Sequence, residues 1–184
     1  MRPHYSEAKT TQASAQFLKL DGGSMHYLKL MKLLYMLDRE ALNQWGRPVT
    51  NDEYYSMKLG PVLSETYDLM NGISDENSYW LKHISAPMNY KIGLLSDPGV
   101  GKLSRSEEGL IEKIFTQYKD FDRFALVDHL HETLPEWTKV TSGRVPITFA
   151  SIFQALHKTP EERKEIEDEL EDLWFLESSK VAIS

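Results

Sequence analysis

Residues 25–45 read MHYLKLMKLLYMLDREALNQW, and this stretch decides the fold. Leu30, Leu33, Leu34, Leu37, Ala41 and Trp45 recur at three- and four-residue steps, the spacing of one face of an α-helix. Ser24 offers an N-cap, Gly46 suits the C-terminus, and Pro48 prevents continuation. Lys29, Lys32 and Arg39 fall near one face. Asp38 and Glu40 offset their charge, so they read as a solvated side of the helix.

Outward from this helix the pattern alternates between helices and a few short strands. Upstream, Glu7–Leu20 reads as a short helix closed by Asp21-Gly22-Gly23. Downstream, Tyr54-Tyr55-Ser56-Met57-Lys58-Leu59 reads as a strand stopped by Gly60-Pro61, with a helix from Val62 to Met70. Tyr79–Ile84 and Tyr90–Leu95 read as two strands joined around Pro87, and Asp97-Pro98-Gly99 as a turn. Ser104 and Glu107 make a capping box for a helix bearing Leu110, Ile111, Ile114, Phe115 and Tyr118. Further helices are expected over 122–132 and 148–157. Thr159-Pro160-Glu161-Glu162 starts a last one that reaches about Glu177. The expected class is mainly α (α+β): a helical domain with a small antiparallel β-sheet inserted between helices. The chain divides into an N-terminal helical extension (1–24), a body (25–157), and an acidic amphipathic C-terminal helix with its tail (158–184).

Composition narrows the chemistry. Of 184 residues, 41% are hydrophobic and 11% aromatic, enough for a packed core and unlike a disordered chain. The absence of cysteine removes disulfides, thiolate zinc sites and cysteine nucleophiles together. Residues 1–20 show no apolar signal region, and no stretch has the length and apolarity of a membrane span, so a cytoplasmic protein is expected. The net charge of -7 is uneven. From Glu161 onward nine acidic residues face three basic ones, whereas the first 160 residues hold 19 acidic and 18 basic. A near-neutral body of this kind is no general polyanion binder, so no nucleic-acid partner is expected.

The catalytic motifs fail on inspection. His131-Glu132-Thr133-Leu134-Pro135 begins like the HExxH of zinc proteases, but the second His is missing and Pro135 breaks the required helix. Gly99-Val100-Gly101-Lys102-Leu103-Ser104 lacks the first Gly and the hydroxyl residue of a phosphate loop. Asp128, His129 and His131 sit close together with no serine in a nucleophile-elbow pattern. Hence no catalytic residue, cofactor or metal is assigned, and a binding protein is expected in place of an enzyme.

One ordered set of segments remains. Leu30-Met31-Lys32-Leu33-Leu34-Tyr35-Met36-Leu37 lies on the long helix, followed by Gly46-Arg47-Pro48-Val49. Met57-Lys58-Leu59-Gly60-Pro61-Val62 comes next, then His131 and Leu134-Pro135-Glu136-Trp137, then Ile147-Thr148. Over roughly residues 25–157 this resembles the Panacea domain of SocA-like antitoxins, marked by a "KLxKLLY" helix, a strand ending in "GPV" and a late Trp-bearing segment. The chain carries Met31 where the family motif often has Gln, and no segment in it reads as the DNA-binding part fused to many members. The resemblance implies an antitoxin of a kind often found on phages and prophages. It would bind and neutralise a cognate protein toxin, encoded next door, by steric blocking. A second reading is an adaptor that delivers its partner to a cytoplasmic protease, a third is a hydrolase or nucleotide enzyme whose site no motif marks, and a fourth is a small DNA-binding regulator. A homodimer is left open.

Partner-facing residues are expected in two places. In the body, Tyr54 and Tyr55 alternate across a strand so that one faces outward. Lys58 shares the parity of Tyr54, and Trp137 follows a proline in a loop as either core plug or anchor. In the C-terminal helix, Ile166, Leu170, Leu173 and Trp174 form an apolar stripe, while Glu161, Glu165, Asp168, Glu169 and Asp172 dominate the rest. The candidate set is therefore Tyr54, Lys58, Trp137, Glu165, Asp168, Glu169, Asp172 and Trp174. The mostly apolar Val181-Ala182-Ile183-Ser184 reads as a frayed terminus.

Overall fold

The computed structural model describes residues 4–73, 75 and 77–181, the side chains of 180 and 181 excepted. Ala182-Ile183-Ser184 of the tail lie outside the described residues. The chain is mainly helical with two small antiparallel sheets. Its order is α1 (Glu7–Leu20), β1 (Ser24–His26), α2 (Tyr27–Trp45), β2 (Tyr54–Met57), β3 (Gly60–Leu63), α3 (Ser64–Met70) and α4 (Tyr79–His83). β4 (Lys91–Gly93), α5 (Arg105–Tyr118), α6 (Arg123–Thr133), β5 (Val145–Ile147), α7 (Phe149–Ala155) and α8 (Pro160–Val181) follow.

α2 is the central strut. Leu30, Leu33, Leu34, Leu37, Ala41 and Leu42 are all inaccessible to solvent, and α1, α5, α6 and β3 pack around them. The helix ends at Gly46, whose left-handed φ of 69° would strain any residue with a Cβ. α1 adds Ala13, Phe17 and Leu18 to the same core, and α5 adds Leu110, Ile111 and Ile114 behind the Ser104–Glu107 capping box.

Four local expectations are corrected. Tyr79–Ile84 is not a strand but the short helix α4. Ser78 caps it, and Glu7 of α1 accepts from both the Ser78 hydroxyl and the Trp80 N–H at 2.5 and 2.9 Å, which seats Trp80 in the core. A short apolar run fits either period, and here a tertiary cap decides. β4 therefore pairs with β1, Met25 opposite Ile92, and only a bridge from Ile84 to Leu94 remains of the expected pairing. Ser24 consequently belongs to β1, and His26 caps α2 through its ring Nδ1, which accepts from the Leu28 N–H. Gly60-Pro61 does not start a helix either. It opens β3, which pairs with β2 in the order β3-β2-β5, and α3 begins only at Ser64. Pro61 is tolerated there because β3 is an edge strand.

α3 has no capping side chain of its own. Asp52, twelve residues before its start, accepts from the N–H groups of Glu65 and Thr66, both at 2.9 Å, and from the Thr66 hydroxyl. Such a carboxylate satisfies orphan donors and complements the positive helix end.

Candidate partner-binding site

The polar residues of α2 do not form a solvated face. Lys29, Lys32 and Asp38 are buried, and Arg39 is mostly so. Each ties the helix to a different segment. Lys29 Nζ donates to the carbonyl of Lys119 at the C-cap of α5, 2.7 Å away. This is the end of a helix that favours a cation. Asp38 accepts from the N–H groups of Val49 and Thr50, the Thr50 hydroxyl, and the Tyr54 hydroxyl at 2.9 Å. Burial pushes its carboxyl up to about 6, and the four donors favour the anion at neutral pH. Glu136, just before Trp137, accepts from Tyr35 at 2.9 Å and from Arg39 Nε at 2.6 Å.

Lys32 is the least compensated of these groups. It is fully buried, and its Nζ donates to the carbonyl of Pro61 at 2.6 Å. Burial pulls its pKa from 10.5 down to about 7. Gly60 lies against it with φ 95°, and a Cβ there would stand 3.1 Å from Lys32 Cε and 3.6 Å from His131 Nε2. The glycine that opens β3 is thus required twice, for its backbone angle and for the lysine it borders. His131 stacks on Trp137 with centroids 3.7 Å apart and planes 11° off parallel. Trp137 Nε1 donates to the carbonyl of Met57, and the Thr138 N–H to the Ser56 hydroxyl. His131 Nε2 is buried without a hydrogen-bond partner, and burial, then the charge of Lys32, lowers the ring's pKa. Segments separated by about a hundred residues, at Lys32, Gly60-Pro61 and His131–Trp137, therefore meet around one hairpin.

The expected partner-facing residues distribute as follows. Tyr54 is only 1% exposed, packs edge-on against Tyr35 and binds Asp38. It is a core residue and leaves the partner-facing set. Tyr55 is the outward member of the pair, half-buried beneath the guanidinium of Arg144. Lys58 is exposed at the turn between β2 and β3, one residue after the carbonyl that holds Trp137, so these two do share a neighbourhood. Trp137 itself is half-buried.

Glu165, Asp168, Glu169 and Asp172 stand exposed on α8, and among the described residues none of them forms an ion pair. Glu165, Asp168, Glu169 and Asp172 follow at i, i+3, i+4 and i+7, so all four lie within a sector of about 100° on one side of α8. Trp174 is half-buried between His4 and Phe175. α8 docks through Ile166, which meets Gly46, and through Leu170, which is 2% exposed. Gly46 ends α2 fourteen residues past Lys32, so the two groups of candidates lie roughly 20 Å apart along that helix.

Spacing marks Lys32 and Asp38 as solvated, and His131 and Glu136 only as members of the ordered segments, whereas the structure buries Lys32, Asp38 and Glu136 together with the His131 Nε2. One signal was available: Leu28–Asp38 leaves no continuous polar face, and a helix apolar nearly all round is a buried one. Among the described residues no group of three or more His, Asp or Glu could hold a metal ion, and no helix is long and apolar enough to cross a membrane.

No curated protein and no solved structure matches the chain. The family model described as "Antitoxin SocA-like, Panacea domain" matches residues 30–138, more than half of the chain. That span begins within α2, contains Gly60-Pro61, and closes just after Trp137. It omits α7 and α8. The chain belongs to the SocA-like antitoxin family, whose Panacea domain here contains the Lys32–Gly60–His131–Trp137 cluster.

Proposed function

We propose that the protein neutralises a cognate protein toxin by steric blocking, and that the acidic face of α8 is its main contact with that toxin. Family membership supports an antitoxin role and a toxin partner. The observation that carries the choice of surface is the row Glu165, Glu169 and Asp172: exposed, aligned and, among the described residues, without an ion-pair partner. Such a row attracts a basic cleft and accelerates encounter by electrostatic steering. Lys58 and Trp137 form a second, smaller contact region on the body. Blocking of this kind needs no cofactor and no catalytic step, and a cytoplasmic toxin is its natural target.

The test is co-expression with the product of the adjacent gene. The full chain restores growth and co-purifies with that product as a stoichiometric complex. Removal of residues 160–184 abolishes both. Rescue that survives the deletion sinks the assignment to α8. A partner that disappears in cells but persists in purified mixtures would replace blocking with delivery to a protease.

A further inference from the structure

The apolar stripe of α8 runs farther than the body beneath it. Ile166 presses on Gly46 so closely that a Cβ there would stand 2.9 Å from its Cγ1, and Leu170 is buried. Beyond Leu170 the cover thins. Leu173 is half-buried, and Leu176 and Phe175 are 61% and 52% exposed. A groove of about 550 Å³ lies here, between α8 and the ends of α2 and α5. Trp45, Leu173 and Leu176 supply its apolar lining, and Glu169 and Asp172 line it from α8.

The charges on the groove are unequally committed. Glu107, on the α5 side, is bound to Lys9 at 2.7 Å and to the N–H of Ser104 at 2.8 Å. Glu169 and Asp172 have no ion-pair partner among the described residues. Arg47, exposed at the end of α2, is the cation of the lining. Glu165, Glu169, Asp172 and Leu176 follow at i, i+4, i+7 and i+11, so three carboxylates and the uncovered leucine share one face of α8. A helix lying beside this face meets a continuous acidic row next to an apolar trough.

We propose that this groove is the docking seat for an amphipathic, basic helix of the toxin, which inserts apolar side chains between Trp45, Leu173 and Leu176 and sets Lys or Arg against Glu169 and Asp172. The inference rests on α8 being the toxin-facing element and specifies what that element accepts. Apolar insertion supplies affinity, since large apolar side chains carry most of an interface's binding energy. The carboxylates supply orientation. Arg47 repels a cation on the opposite wall, so the basic edge of the incoming helix lies along α8 and not across the groove.

The experiment measures binding of the adjacent gene's purified product to the full chain, to four substituted variants and to a chain lacking residues 160–184. Leu176→Asp, at an exposed position, weakens binding at least tenfold. Glu169→Lys with Asp172→Lys weakens it at least tenfold and flattens its salt dependence. Glu171→Lys, on the opposite face of α8, changes it less than twofold. Trp45→Ala weakens binding, and circular dichroism checks that the fold is kept. If the wild-type chain forms no complex, the toxin-binding reading itself falls. If deletion of residues 160–184 abolishes binding while Leu176→Asp and the double reversal stay within twofold of wild type, α8 is the contact but the groove is not its seat.

Discussion

α2 and α8 are the two longest helices of the chain, and they handle charge in opposite ways. α2 takes Lys29, Lys32 and Asp38 into the interior and gives each a hydrogen-bonded partner on another segment. α8 keeps its carboxylates in water and touches the body through a narrow stripe. A buried charge is costly unless its partners are placed, so each one specifies where a neighbouring segment must lie. An exposed charge specifies nothing about the fold and remains available to another molecule. The family span contains most of α2 and none of α8.

If that contrast is right, substitutions in the two helices separate cleanly. The largest effect is expected from Asp38→Ala, which strands two backbone N–H groups and two hydroxyls in the core. It should cost about 4 kcal/mol, read from urea unfolding. A loss under about 1 kcal/mol would show that water reaches these donors.

Lys32 gives the next effect, through pH. Its folded pKa of about 7 lies below the 10.5 of an ordinary lysine. Between these values the unfolded chain holds the proton and the folded chain does not, so stability rises with pH across this window. Below pH 7 both states are protonated, and the cost of burying the charge is felt in full. The gain from pH 7 to 9 should be roughly 2 kcal/mol, and Lys32→Met should remove that gain. Equal slopes for the two proteins would mean that Lys32 is hydrated in the folded state.

Leu170→Ala should cost about 2 kcal/mol, at the low end for a core leucine, because α8 has loose surroundings that can collapse on the gap. The smallest effect belongs to Glu169→Lys with Asp172→Lys, which should change thermal stability by no more than about 0.5 kcal/mol while impairing toxin binding. A large loss of stability there would place these carboxylates in the fold and dissolve the contrast with α2.

Much of the helical framework is legible in the residues themselves. The bounds of α1, the Gly46 stop, the Ser104–Glu107 box and the start of α8 follow from local hydrogen-bonding chemistry that acts within four residues. The run over α4 fits a strand as well as a helix, and besides its local cap, Ser78, the helix is fixed by Glu7, seventy-odd residues away, which accepts from the Ser78 hydroxyl and the Trp80 N–H. The candidate site divides in the same manner. The acidic row on α8 is visible from spacing alone. The parity of a strand orders its two faces without saying which is inside, and Asp38, from another element, takes Tyr54 into the core.

Sequence by itself determined where most helices begin and end, the segregation of acidity into the last helix, and the ordered motifs that mark the family. Those features depend on neighbours in the chain and on composition. Tertiary structure alone decided that Lys29 and Lys32 are internal, that Gly60 must be bare beside a lysine, that Trp137 stacks on His131, and that the stripe of α8 outruns its seat. Whether a charge is buried, or an apolar side chain covered, depends on what another segment brings to it. A single helix does not carry that information.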